Sequence, residues 1–102
     1  MGMKLENGYE MKTTFWQDFT IADAFGIDAI KDTYHNAFMS WQFNTVYITE
    51  LAIVMNMKCW YYYSKGNDAV SQLYADLYYK VRDWCLSNLK GTDLKYYIQT
   101  TD

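Results

Sequence analysis

The side chains able to carry acid–base or nucleophilic chemistry are few: one histidine and two cysteines. His35 follows Asp32 by three positions and Asp28 by seven, which on a helix sets one imidazole beside two carboxylates. A carboxylate there can orient the imidazole or share a metal ion with it. No His-x-x-x-His or Glu-x-x-His pair accompanies it, so the usual helix-borne ligand set is missing, and His35 reads as a surface residue. Cys59 and Cys85 lie at helical spacing among leucine, methionine and tryptophan, with no Cys-x-x-Cys. A nucleophilic cysteine needs access and a stabilised thiolate, and neither position offers them. Two buried, reduced thiols instead suggest a cytoplasmic setting. No glycine-rich phosphate loop occurs. The expectation is a protein with no catalytic residue, no cofactor and no metal, hence not an enzyme.

Chemistry of another kind resides in the rings. Aromatic residues make up 20% of the 102, among them eleven tyrosines and four tryptophans. The run Trp60-Tyr-Tyr-Tyr63 spans one helical turn, so its rings point in all directions and cannot share one core. Tyr and Trp combine an apolar body with a polar tip and favour interfaces.

The elements that must position these groups follow from periodicity. Thr45 to Ser64 contains neither glycine nor proline, and only Glu50 and Lys58 are charged. At about 100° per residue, Ile48, Leu51, Ala52, Met55, Cys59 and Tyr62 form one stripe. Val46, Ile53, Met57 and Trp60 fall on another side, so this helix needs more than one partner and is placed at the centre. Glu50, Asn56 and Lys58 near its middle argue against a membrane span. A helix over about 27–42 carries the stripe Ile27, Ile30, Tyr34, Ala37, Phe38 and Trp41. Another, over about 68–90, carries Val70, Leu73, Tyr74, Leu77, Tyr78, Val81, Trp84, Cys85 and Leu89, with Tyr79 and Leu86 on its far side. Lys65-Gly66-Asn67 ends the central helix, and Asp68 is expected to cap the next.

Short helices complete the pattern. Thr14 to Gln17 and Thr20 to Asp23 have the form of capping boxes, so a first helix starts near Phe15 or Thr20 and stops at Gly26. Thr92 or Asp93 can cap a last one carrying Leu94, Tyr97 and Ile98. Residues 1–12, polar and glycine-containing, read as a loose leader, with Met11 an alternative start. The fold expected for 13–102 is a single all-α domain: a small helical bundle of three main helices (about 27–42, 45–64 and 68–90) with short terminal helices.

Formal charge is −3, the wrong sign for a protein that tracks phosphates. The segment Ile21 to Asp28 nevertheless resembles the corner of a helix-turn-helix, with Ala22 four positions before Gly26. The alternative reading is therefore a DNA-binding regulator using residues 20–42. Against it, Asp18 to Asn36 holds four aspartates and one lysine. Residues 45–90 also resemble one tetratricopeptide hairpin, but a single unit makes no solenoid.

Thr14-Phe-Trp-Gln-Asp-Phe-Thr-Ile-Ala-Asp-Ala-Phe-Gly26, with Thr49-Glu-Leu51 and Leu77-Tyr-Tyr79, resembles small uncharacterised helical proteins of gut Bacteroidota and their phages or mobile elements. That resemblance implies a bacterial or phage cytosolic setting and an accessory role on a host protein, with no activity attached. The function expected is a non-enzymatic interaction module, self-associating as a homodimer or binding a host protein, with neither nucleic acid nor membrane as partner. Its interface is expected to draw on Val46, Ile53, Met57, Trp60, Tyr61, Tyr79 and Leu86, the large side chains left off the main stripes.

Overall fold

In a computed structural model that describes residues 3–102, five helices carry the regular structure: α1 Phe15–Asp23, α2 Ile27–Trp41, α3 Thr45–Ser64, α4 Asp68–Asn88 and α5 Gly91–Thr101. α3 is the axis of the molecule and touches each of the other four. Every residue from Ile48 to Met55 is buried, polar Thr49 and Glu50 included. A helix covered on all sides has no need of a single apolar stripe, which explains why its apolar residues wrap around it.

α3 and α4 form the antiparallel hairpin expected of them. Gly66 takes a φ of 75° at the turn, and the Asn67 amide bonds back to the Tyr62 carbonyl at 3.0 Å. The cap differs by one residue from expectation: Asn67 receives the Val70 amide at 3.2 Å, and Asp68 is the first residue of the helix. Its charge still favours the positive N-terminus of α4. Asn44 caps α3 in the same way, accepting from the Tyr47 amide at 3.1 Å. Thr14 does flank α1, but its side chain makes no capping bond.

The outer helices are unequal. α2 fully buries only Ile30, while Ile27 and Trp41 at its ends are 42% and 41% exposed. It is thus not a third main helix of the same standing: α1, α4 and α5 already occupy much of the surface of α3. α5 buries Tyr97 against the core and leaves Ile98 exposed.

Residues 3–12, read from the sequence as a loose leader, make a docked strap. Lys4 pairs with Glu10, and the Met11 amide bonds the Met3 carbonyl at 2.6 Å across a turn at Gly8. Met11, entertained as a start, has its side chain in the core, 2% exposed. Met1 and Gly2 lie outside the described residues.

What holds the strap is Glu50, itself fully buried. Its carboxylate accepts from the Lys12 amide at 2.8 and 2.9 Å, from the Thr13 amide at 2.7 Å and from the Tyr9 hydroxyl at 2.6 Å. A buried charge is tolerable only when hydrogen bonds replace its hydration. Here they do so, and they set the chain on its path into α1.

Candidate functional site

The side chains expected at an interface separate into three groups. Ile53 is 8% exposed and belongs to the core. Its place there corrects the expectation: Leu5 of the strap and the C-terminal residues of α5 lie beside it, elements whose reach a helical wheel does not show. Val46 and Met57 are half-buried, and Met57 packs on the core. Trp60, Tyr61, Tyr79 and Leu86 are exposed, at 62%, 52%, 55% and 43%.

Those four do not make one patch. Asn56 and Tyr78 flank the end of α5 at Thr100–Asp102, and Trp60 follows Asn56 by one turn on the same face. At 1.5 Å per residue α3 is about 30 Å long and α5 about 16 Å, so Trp60 projects where α5 has ended. Tyr63 packs edge-on against it, ring centres 5.7 Å apart, and is itself 63% exposed. Tyr79 and Leu86, seven residues apart, share one face of the neighbouring α4. Tyr61 lies elsewhere, toward α1.

Between α1 and α3, Tyr61 borders a cleft of about 370 Å³ walled by Trp16, Val54, Met57 and Tyr62, with Met3 of the strap also on its lining. The polar side of this cleft is a network that sequence reasoning missed. Lys58 donates to Asp23 at 2.8 Å and to the Thr20 hydroxyl at 2.9 Å. Both charged side chains are largely covered, 15% and 10% exposed. The Tyr74 hydroxyl donates to the other oxygen of Asp23, and Tyr62 stacks on Tyr74 at 6.0 Å with ring planes 6° apart. No local signal joins Asp23 to Lys58, which are 35 residues apart.

Burial leaves a mark on the titrating groups. Desolvation, then the nearby Asp23 carboxylate, pushes Tyr62 up to about 12, and desolvation pushes Tyr34 up to about 12. Tyr9, Tyr74 and Tyr97 are raised as well, each chiefly by desolvation. Burial also pushes the Cys85 thiol up from 9.0 to about 12. Each of these acids is neutral in the fold and ionises more readily once unfolded. The contribution of the tyrosines is therefore complete below about pH 9 and declines as pH rises through 10 toward 12, and that of Cys85 declines from about pH 8. We expect stability to fall steeply only above pH 9–10, with the last part of the tyrosinate absorbance, that of the buried rings, appearing together with the loss of helical circular dichroism. Tyrosinate rising to completion ahead of unfolding contradicts this.

The groups weighed for catalysis are placed as follows. His35 is exposed on α2, and no group of three or more metal-ligating side chains occurs among the described residues. Both cysteines are free, Cys85 buried and Cys59 half-buried, with the Cys59 sulfur 3.6 Å from the Ser71 hydroxyl. Among the described residues no helix is long and apolar enough to cross a membrane. The chain matches no family model, and comparison with curated proteins and with solved structures likewise gives no match.

Proposed function

We propose that this chain is a non-enzymatic helical interaction module that self-associates through the aromatic surface beyond the end of α5. The observation that carries the reading is Trp60, 62% exposed and braced by Tyr63 on a helix whose middle, Ile48 to Met55, is buried throughout. Tyr79 and Leu86 are a separate exposed pair on α4. A standard interface takes about 800 Å² from each partner, about one eighth of the 6310 Å² surface. A symmetric dimer is the commonest way for a soluble chain to cover such a face. With the resemblance noted above, the setting proposed is the cytoplasm of a bacterium, as an accessory protein of a phage or mobile element, and a host protein is the other partner the surface could serve. Specific duplex DNA binding is not favoured, because exposed Asp28 and Asp32 would face the phosphates from α2.

Light scattering across a concentration series tests this directly. The wild-type chain is expected to pass from monomer to dimer. Trp60→Ser should keep its fold and weaken the dimer about thirtyfold, the effect of losing a central tryptophan worth about 2 kcal/mol. A wild-type chain that stays monomeric at every concentration overturns the self-association reading and leaves a host protein as the partner to seek.

A further inference from the structure

We propose that the cleft between α1 and α3 is a binding site for a small, uncharged, planar aromatic molecule bearing a carbonyl oxygen. An ammonium has three hydrogens to donate; Lys58 gives one to Asp23 and one to Thr20, and the third has no acceptor among the described residues. The Thr20 hydroxyl donates its own hydrogen to the Trp16 carbonyl at 2.7 Å, and Asp23 receives both Lys58 and Tyr74. Trp16, on the same wall, keeps its indole N–H buried with no acceptor among the described residues, so it offers the cleft its ring and not its donor. The Lys58 ammonium is therefore the donor the cleft has to spare, and a ligand that meets it brings an acceptor.

Charge and shape narrow the class. Asp23 at 2.8 Å already balances Lys58, so an incoming carboxylate would meet repulsion along with attraction, whereas a neutral carbonyl meets only the donor. Trp16, Tyr61 and Tyr62 offer ring surfaces, and Met57 offers a polarizable thioether that packs well on an aromatic ring. A volume of about 370 Å³ lies within the range of small-molecule sites. A few convergent polar groups on an otherwise apolar wall are what such sites use to orient a ligand.

Benzamide, benzoate and toluene serve as probes, titrated into the isotope-labelled full chain and followed by two-dimensional NMR. Benzamide is expected to give saturable shifts at the Trp16 indole N–H and at Lys58, Tyr61 and Tyr62, and to bind at least tenfold more tightly than either other probe. Tyr61→Ala, at a half-exposed position that tolerates truncation, should abolish saturation without unfolding. Lys58→Met should weaken benzamide about tenfold, the effect of one hydrogen bond from a charged donor, and leave toluene unchanged. Repeating the titration in Trp60→Ser separates the cleft from self-association. Absence of saturable shifts at the cleft overturns the proposal. So does toluene binding as tightly as benzamide, which makes the site merely apolar, or benzoate binding more tightly, which makes it an anion site.

Discussion

Glu50→Ala is expected to lower the free energy of unfolding by about 3–5 kcal/mol, the largest single-residue effect in the molecule, with a fall in Tm on the order of 20 °C. The carboxylate serves two backbone amides and one tyrosine hydroxyl at once. Alanine strands the Thr13 amide, on a residue only 8% exposed, and the Tyr9 hydroxyl, and it leaves a void beside α3. An orphaned buried donor costs about 1–3 kcal/mol. Removing the carboxylate also relieves its own desolvation, so the sum stays below a simple total of the four bonds. Glu50→Gln should fall between, because one oxygen remains but an NH₂ group now faces a donor. Thermal melts give the energies, and amide hydrogen exchange at Lys12 and Thr13 shows whether the strap has come loose. A loss under about 1 kcal/mol with protected amides would mean that the strap is held by packing alone.

The second large effect concerns the covered ion pair. Asp23→Ala is expected to cost about 2–4 kcal/mol, since it leaves the Lys58 ammonium, 15% exposed, and the Tyr74 hydroxyl without their shared acceptor. Lys58→Met should cost less, because Asp23 keeps the bond from Tyr74 and methionine retains the apolar stem. The double variant should be more stable than Asp23→Ala alone: with the charge gone, only the tyrosine hydroxyl is left unserved. Urea denaturation of the four proteins closes the cycle, and a coupling of about 1–3 kcal/mol is expected. Strictly additive costs would show that the pair is screened by water and contributes little.

The contrast between what could and could not be read from the chain follows from distance along it. α3 and α4 announce themselves, because Gly66 and Asn67 punctuate them and apolar residues recur every three or four positions. Asn67 rather than Asp68 as the cap is a one-residue refinement of a local signal. The strap gives no such signal. Its polar residues look unattached until the partner is known, and that partner, Glu50, lies 38 residues beyond Lys12 and 41 beyond Tyr9. Glu50 itself could be read only as a charge on an apolar helix. Ile53 was misplaced for a related reason: periodicity tells which side of a helix a residue faces, and the length of the neighbour decides whether that side is covered. The same length rule leaves Trp60 in water one turn past Asn56.

One contact bears on how the molecule comes into being. The hydroxyls of Tyr9 and Tyr96 meet at 2.6 Å, though 87 residues separate them. The strap and α5 together close the flank of α3, so a piece made early must wait for one made much later. Until α5 arrives, a nascent chain can pair α3 with α4 yet keeps that flank bare, a state prone to sticking to its neighbours. Closure across so long a separation also carries a large loop entropy, which places it among the last and slowest steps of folding. A chain halted after α4 would therefore hold its central hairpin and still lack a finished wall.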